Sequence, residues 1–453
     1  MVQKNQIFQG EITGMTADGN GVAKLDGFAV FVPGTAMGDV AQIKVVKVLK
    51  NYGFGIVHQL MTPSPDRVHN DCPVFKQCGG CCWRHISYEA ELRIKEQYVT
   101  DTFQRIGGIS FPAQPIQGSA KTAGYRNKGQ FPVGTDAQGK AVAGFYAKRS
   151  HRIIPCSQCL LQPDCFNQIV GQVLEFINRH HIPPYNEENH TGLIRHIYLR
   201  EADATGEIML CLVCTKPSFR EEAQLVKEIT KQFPQIQSIV INHNPNKGNV
   251  ILGKSCRTIY GTDYITDILC GVKVRISPLS FYQVNKAQAE RLYQQAIAYA
   301  QLEPEDLLLD LYCGAGTIGL SAAHLVKNLI GVEIIPQAVE NAKQNAMLNG
   351  FENARFLCDD CKGAVIQLEQ EQLHPNAILV DPPRKGCDPE VIESIVRFAP
   401  EKLVMISCNP ATAARDCKRL EELGYEVLEY MPFDLFPRTS AVECVVKLRK
   451  KEK

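Results

Sequence analysis

The chain lacks several features that would place it in a special class of proteins. No apolar run in its 453 residues approaches the length of a membrane span, so a membrane partner is not expected. Residues 1–6 have no apolar segment of the kind that marks a secretory signal peptide. The formal net charge is only +1, and overall charge therefore gives no indication of a nucleic-acid partner. Internal repeats and low-complexity tracts are also absent, which argues against a repeat architecture.

Cysteine, by contrast, is plentiful. Eighteen cysteines without a secretory signal argue against a disulfide framework. They favour free thiols, metal or cluster ligation, or catalysis in a reducing compartment. We therefore expect a cytoplasmic protein.

The order of strand and helix signals predicts three domains. Residues 1–62 alternate short β-type runs with glycine turns such as Asp18–Gly21, a pattern typical of a small OB-like β-barrel. Residues 63–275 mix strands with helices, among them a helix over 88–106, and predict an α+β domain. In residues 276–453 apolar strands alternate with amphipathic helices. The predicted fold is α/β, with this C-terminal part forming a doubly wound, Rossmann-like domain.

One stretch is strongly basic, although the chain as a whole is nearly neutral. Residues 121–152 carry seven basic residues against one acid, Asp136, a net charge of +6, and aromatic residues lie between them. This pattern suits a surface that follows an RNA backbone and stacks bases. A solvated hairpin with its own small core is the alternative interpretation.

A glycine loop indicates a cofactor site. Gly314, Gly316 and Gly319 follow a predicted strand and open a helix, and Glu333 ends the next strand. This arrangement serves dinucleotides and other adenosine-bearing cofactors alike. Asp310 would repel a pyrophosphate but could face the amine of a methionine group. We therefore expect S-adenosylmethionine, with a nicotinamide or flavin dinucleotide as the alternative.

Three chemically active side chains stand at predicted strand ends. Cys408 follows an apolar run and precedes Pro410, which cannot continue a sheet. A thiol at the carboxyl end of a strand is a candidate nucleophile, with burial as a small apolar residue the alternative. Asp381, before two prolines, could accept hydrogen bonds from a base edge or a cofactor. Glu443 begins the last strand and could act as a base if burial raises its pKa.

A cysteine-rich loop predicts a metal or cluster site. Cys72, Cys78 and Cys81 lie within one short, glycine-containing stretch and require a fourth ligand from elsewhere. The candidates for that ligand are Cys82, Cys156, Cys159 and Cys165. Tetrahedral zinc is the alternative to an iron–sulfur cluster.

Taken together, these motifs resemble the RNA 5-methyluridine methyltransferase family (TrmA/RumA type), in particular its iron–sulfur members that act on 23S ribosomal RNA. The resemblance covers nearly the whole length and makes residues 3–61 a TRAM domain, an RNA-binding barrel. It implies a 4Fe–4S cluster, and its cysteine motif selects Cys159 over Cys156 as the fourth ligand. The family usually has proline after this cysteine, whereas Leu160 stands here.

The resemblance also assigns roles to residues. The segment Phe281–Asn285 matches a family motif that approaches the cofactor and a flipped base. The implied cofactor contacts are Gln283, Tyr312, Gly314, Glu333 and Asp381; the implied substrate contacts are Phe281 and Asp381; the implied cluster ligands are Cys72, Cys78, Cys81 and Cys159. Cys408 would be the nucleophile and Glu443 the base.

The implied activity is methylation of uridine C5 through a covalent adduct of Cys408 with uracil C6. RNA, most directly 23S ribosomal RNA, is the expected partner, and no obligate protein partner is indicated. Transfer RNA is the alternative substrate. Two competing hypotheses are a cluster-containing dinucleotide oxidoreductase and a non-enzymatic RNA-binding protein, although neither explains Cys408, Asp381 and Glu443 together.

Overall fold

Alternating apolar residues build the first sheet of the protein, whose computed structural model describes residues 2–451. In its fourth strand Val30 and Val32 are fully buried, whereas Phe31 points to the opposite, half-buried face. The sheet runs in the order β1-β5-β6-β4-β3-β2, with β1 and β2 at its edges, and forms the expected N-terminal all-β unit. Its strands are β1 (Ile7–Glu11), β2 (Gly14–Met15), β3 (Gly21–Leu25), β4 (Phe28–Val32), β5 (Val40–Val48) and β6 (Tyr52–Thr62).

The segment that follows β6 is held against the first sheet by polar contacts. The backbone N–H of Ser64 donates to the buried carboxylate of Asp39 (2.9 Å), and the Arg67 guanidinium pairs with the same carboxylate (2.6 Å). The proline-containing stretch 63–65, whose sequence is typical of a linker, is therefore held against the first sheet.

A seven-stranded sheet occupies the middle of the chain, in the order β13-β12-β11-β10-β7-β8-β9. Helices α2 and α3 contribute to the apolar core of this sheet. The strands are β7 (Lys128–Thr135), β8 (Ala141–Tyr146), β9 (Ile153–Pro155), β10 (Ile194–Glu201), β11 (Ile208–Cys214), β12 (Ile236–His243) and β13 (Ser255–Gly261); the helices are α2 (Asp164–Arg179) and α3 (Glu222–Gln232). A separate hairpin joins β14 (Ile265–Leu269) to β15 (Val272–Ile276).

The first helix packs on the C-terminal sheet rather than on the central one. Helix α1 (Tyr88–Thr102) continues as a π-helix (Phe103–Gly107), so the segment expected to be helical forms one rod. The ring of Phe103 stacks on that of Tyr430 with centroids 4.2 Å apart, inside the core of the C-terminal sheet. The domain boundaries at 62 and 275 stay predictions.

The C-terminal sheet has the order β18-β17-β16-β19-β20-β22-β21, parallel except for its last two pairings. It has a core on each face, because Leu308 points to one and Leu309 to the other. Its strands are β16 (Leu307–Leu311), β17 (Asn328–Glu333), β18 (Ala354–Cys358), β19 (Ala377–Val380), β20 (Lys402–Ser407), β21 (Tyr425–Phe433) and β22 (Glu443–Lys450). The helices are α4 (Lys286–Ala300), α5 (Thr317–Ala322) with a 3₁₀ turn (Ala323–Leu325), α6 (Pro336–Leu348), α7 (Cys361–Gln370), α8 (Pro389–Phe398) and α9 (Pro410–Glu422). No helix within residues 2–451 has both the length and the hydropathy needed to cross a bilayer.

Candidate active site

Sheet register brings three of the expected site residues to one edge. Strands β20 and β22 pair antiparallel with Ser407 opposite Cys444, so the next pair along is Cys408 and Glu443. Asp381 follows β19, the neighbour of β20 on the other side. A thiol and two carboxyl groups therefore meet at the carboxyl edge of the sheet, where ligands bind in open α/β folds.

Burial, more than their mutual charge, shifts the pKa values of the three groups. Burial raises the pKa of Glu443 to about 8, with a further increase from Asp381. Burial alone raises the pKa of Asp381 to about 7. Burial also raises the pKa of the Cys408 thiol, and the charges of Glu443 and Asp381 add to this effect. Ionisable groups with shifted pKa values at a sheet edge are typical of catalytic sites.

Arg384 supplies the opposing charge. It lowers the pKa of both Cys408 and Glu443, against the dominant effect of burial. Its backbone carbonyl accepts a hydrogen bond from the Asn409 side chain (3.0 Å), which ties the loop after β19 to the start of α9. The sequence alone does not reveal that Arg384 lies close enough to the Cys408 thiol to lower its pKa.

The backbone around Cys408 is fixed by its neighbours. The Ser407 hydroxyl donates to the carbonyl of Asn409 and accepts from its N–H, both at 3.1 Å. The Asn409 side chain caps α9 by accepting from Ala411 N–H (3.1 Å), and Pro410 occupies the first helical turn. The thiol is thus presented from a rigid strand–helix junction.

The glycine loop lies at the same edge, between β16 and α5. Gly316 has φ of +76°, a value that side chains disfavour. The N–H of Gly319 donates to Asp310 Oδ2 (2.9 Å), and a Cβ at Gly319 would stand 2.7 Å from that oxygen. Glu333 accepts hydrogen bonds from the N–H groups of Gly314 (3.2 Å) and Ile335 (2.9 Å). The loop is therefore held in shape by two carboxylates.

This loop has features that fit an adenosine-bearing cofactor. Asp310 Oδ1 and the Tyr312 hydroxyl are buried and have no hydrogen-bond partner within residues 2–451. Buried polar atoms normally have a partner, so both can receive one from a ligand. Beside Glu333, Ile334 and Ile335 expose 65% and 56% of their surface and offer an apolar face.

The expected base-flipping motif lies just before α4. Asn285 caps this helix by accepting from Gln288 N–H (3.3 Å). Gln283 is buried and lowers the pKa of Tyr293, which burial and then Asp381 raise. Phe281 is 67% exposed. Tyr293 therefore links the motif to the sheet edge that carries Asp381. Tyr293 is fully buried, and the sequence indicates only that it belongs to an amphipathic helix.

The predicted cluster ligands meet in one cavity. Cys72, Cys78, Cys81 and Cys159 all line it, together with Cys156. Burial raises the pKa of Cys81 to about 12, and burial followed by nearby thiols raises that of Cys78. A hydrogen bond from Cys156 lowers the pKa of Cys159. Within residues 2–451, however, no three His, Cys, Asp or Glu side chains are arranged as a preformed metal site.

Two arginines complete the cavity. Arg84 and Arg126 line it and lower the pKa of Cys81, against the dominant effect of burial. Cys82 and Cys165, two of the fourth ligands that the sequence allows, do not line this cavity. Four thiolates would carry a large negative charge, and Arg126 would offset part of it. The Arg84 guanidinium already pairs with Asp71 (2.7 Å). The donor set therefore fits an anionic thiolate cluster.

Comparison with known proteins agrees with this geometry. Residues 3–58 match the TRAM domain, and residues 250–451 match the tRNA (Uracil-5-)-methyltransferase family. A Bacillus cereus protein is 42% identical over 100% of this chain and 98% of its own length. A Halalkalibacterium halodurans protein is 43% identical over 99% of this chain and 98% of its own length. Both are described as uncharacterized RNA methyltransferases. The chain belongs to the RNA uracil-5 methyltransferase family.

A solved structure aligns over nearly the whole chain. The tRNA (uracil-54, C5)-methyltransferase of Pyrococcus abyssi, in complex with S-adenosyl-L-homocysteine, is 27% identical with a TM-score of 0.78, covering 97% of this chain and 100% of its own. The predicted α/β fold with an N-terminal TRAM domain is confirmed, as is the family resemblance. The family uses S-adenosylmethionine and acts on RNA.

Proposed function

We propose that the protein methylates C5 of a uridine in 23S ribosomal RNA through a covalent bond between Cys408 and uracil C6. The observation that carries this proposal is the placement of Cys408 opposite Glu443 across β20 and β22. Asp381 follows the adjacent strand, and the glycine loop after β16 supplies a cofactor site beside it.

The first step activates the pyrimidine. Uracil C5 is a weak nucleophile, and addition of the Cys408 thiolate to C6 moves the electrons of the C5–C6 bond toward C5 and O4. Arg384 favours the thiolate, since it lowers the pKa of Cys408. Asp381, with a pKa raised to about 7, can be protonated and donate to a uracil carbonyl. Phe281, exposed beside the site, would contact the extruded base.

The second step transfers the methyl group and restores the ring. S-adenosylmethionine, when bound, supplies a sulfonium methyl to C5. The residues that would hold it are Gln283, Tyr312, Gly314, Glu333 and Asp381. Glu443, with a pKa raised to about 8, is matched to take the C5 proton near neutral pH. The electrons of the C5–H bond then re-form the C5–C6 double bond, and Cys408 leaves as the thiolate.

We further propose that Cys72, Cys78, Cys81 and Cys159 hold a 4Fe–4S cluster. Their shared cavity and its two arginines support this assignment. The cluster would fasten the loop 72–81 to the segment around Cys159, a structural role remote from methyl transfer. Zinc, the alternative, would give a colourless protein.

The choice of 23S ribosomal RNA rests on the TRAM domain combined with the cysteine set. Transfer RNA is the second candidate, because the aligned Pyrococcus abyssi enzyme is a tRNA methyltransferase. Fragments of 23S RNA and tRNA transcripts, each containing 5-fluorouridine, would be incubated with protein and S-adenosylmethionine. We expect a covalent adduct with a 23S fragment and none with tRNA. Trapping of tRNA alone would overturn the assignment.

A further inference from the structure

Three cations lie together on the central sheet. Lys128 on β7 pairs directly with Arg200 on β10, and Arg126 precedes Lys128 by two residues. Arg200 is only 4% exposed and Lys128 is half-buried. Like charges placed directly opposite each other destabilise a sheet, so this arrangement requires a compensating group.

No carboxylate within residues 2–451 provides that group for Lys128 or Arg200, whereas Arg126 faces the cysteine cavity. Within residues 2–451 none of the three cations forms an ion pair with a carboxylate, and the Lys128 ammonium has no hydrogen-bond partner. Burial, followed by the charges of Arg200 and Arg126, lowers the pKa of Lys128 to about 8. A buried charge is normally paired, and an external anion would pair this one.

The cations border the base-flipping motif. The Arg200 guanidinium donates a hydrogen bond to the carbonyl of Ser280, the residue before Phe281. Asn127, between Arg126 and Lys128, donates from its side chain to the Gln283 carbonyl (2.9 Å). The unpaired charge therefore lies next to the segment that presents Phe281 to solvent and Gln283 to the active site.

We propose that Lys128, with Arg200 beside it, binds a backbone phosphodiester of the RNA adjacent to the target uridine. A lysine ammonium acts as a point charge toward phosphate, and a second cation behind it strengthens the local field. A phosphate here would hold the backbone while the base is turned toward Cys408. This assignment rests on the proposed function, since it takes the nucleotide beside Phe281 as the target.

The test compares Lys128→Met with Lys231→Met, a control at an exposed lysine in the last turn of α3. Binding of a fluorescent RNA fragment would be measured by anisotropy over a range of salt concentrations. We expect Lys128→Met to weaken binding about tenfold and to reduce the salt slope by about one, with the loss falling on KM more than on kcat. Lys231→Met should bind like the wild type. Equal binding by wild type and Lys128→Met would overturn the proposal.

Two further arms separate charge from packing. Lys128→Arg keeps the charge and should bind RNA with most of the wild-type affinity. If Lys128→Arg binds as weakly as Lys128→Met, packing rather than charge is responsible for the loss, which would contradict the phosphate site. A methylphosphonate scan removes one backbone charge at a time around the uridine. One position should weaken binding to the wild type but not to Lys128→Met, and strictly additive losses at every position would contradict the site.

Absence of a covalent Cys408 adduct in a parallel fluorouridine assay would count against the proposed function, whereas the binding arms report on the phosphate site alone.

Discussion

The two proposed chemical centres of this protein, the methyl-transfer edge and the cysteine cavity, are built in different ways. At the methyl-transfer edge, Cys408 and Glu443 are positioned by strand register, and the thiol is held by a capped strand–helix junction. The cysteine cavity is lined instead by residues of irregular loops, around 72–81 and 156–162. Regular structure therefore fixes the first centre, whereas loop conformation determines the second.

This difference indicates how each centre depends on its ligand. Backbone hydrogen bonds between strands set the geometry of Cys408 and Glu443 whether or not RNA is present. The cavity cysteines, in contrast, are close but not arranged as a preformed metal site within residues 2–451. Metal binding to such loops is coupled to their ordering. We expect the cysteine centre to respond to its ligand far more than the catalytic edge does.

The largest contrast should follow from removing one cavity cysteine. Cys78→Ser should abolish the visible absorbance and bound iron of anaerobically purified protein, because the cluster loses a ligand. Cys165→Ser, which changes a cysteine outside the cavity, should keep both. Iron analysis and absorbance spectra measure this directly. A colourless wild type with one bound zinc, or retention of iron by Cys78→Ser, would contradict the ligand assignment.

Loss of the base should have the next largest effect, confined to the catalytic edge. Glu443→Gln should lower kcat by about 10²- to 10⁴-fold, as expected for removal of a general base. The covalent RNA adduct should accumulate, since Cys408 leaves only after the C5 proton is removed. Glu429→Gln, on the neighbouring strand β21, is the control and should retain activity. Rapid-quench assays with gel analysis of the adduct provide the measurement, and full turnover by Glu443→Gln would exclude it as the base.

The cofactor loop should show a smaller loss. Glu333→Ala should weaken binding of S-adenosylhomocysteine about 10- to 100-fold, because a carboxylate that can accept ribose hydroxyl groups is lost and the loop loses its anchor at Gly314. Glu340→Ala on α6 removes an exposed carboxylate and serves as the control. Titration calorimetry measures both. Unchanged affinity of Glu333→Ala would place the ribose elsewhere.

The smallest expected effect is a shift in pH dependence. As the proposed base, Glu443 must be deprotonated, and its pKa is raised to about 8, so this requirement makes kcat fall as pH decreases through about 8. Asp381, proposed to donate in its protonated form with a pKa of about 7, gives an opposing fall as pH increases. Arg384 lowers the pKa of Glu443, so Arg384→Met should move the midpoint of the Glu443 titration upward by about one unit. The loss should then be about tenfold at pH 7 and should disappear at high pH. A downward shift, or a loss independent of pH, would mean that Arg384 acts in another way.

Much of the catalytic edge could be predicted because it follows from strand ends. Cys408, Asp381 and Glu443 each flank an apolar run, and the sheet brings such positions together. The packing of Tyr293 against this edge could not be predicted, since a helical pattern indicates a buried face but not its neighbours. The same limit applies to Arg384, because the orientation of its side chain depends on the conformation of the loop after β19.

For the cysteine cavity, the sequence predicts which cysteines belong together better than it predicts how they are arranged in space. Spacing grouped Cys72, Cys78 and Cys81, but contact with Cys159 and Cys156 depends on how the central sheet meets the loop. Likewise, the helix over 88–106 was evident from its pattern, although its packing on the C-terminal sheet was not. Long-range packing of this kind leaves little trace in local periodicity.

Covalent trapping tests the central claim most directly. RNA containing 5-fluorouridine and S-adenosylmethionine should give a protein–RNA adduct that resists denaturation, because fluorine at C5 cannot be removed by a base. Mass spectrometry of digested adduct should place the methylated nucleotide on Cys408. Cys408→Ala should give no adduct, whereas Cys256→Ala, at an exposed cysteine on β13, should trap normally. An adduct at another residue, or methylation by Cys408→Ala at the wild-type rate, would contradict the assignment of Cys408 as the nucleophile.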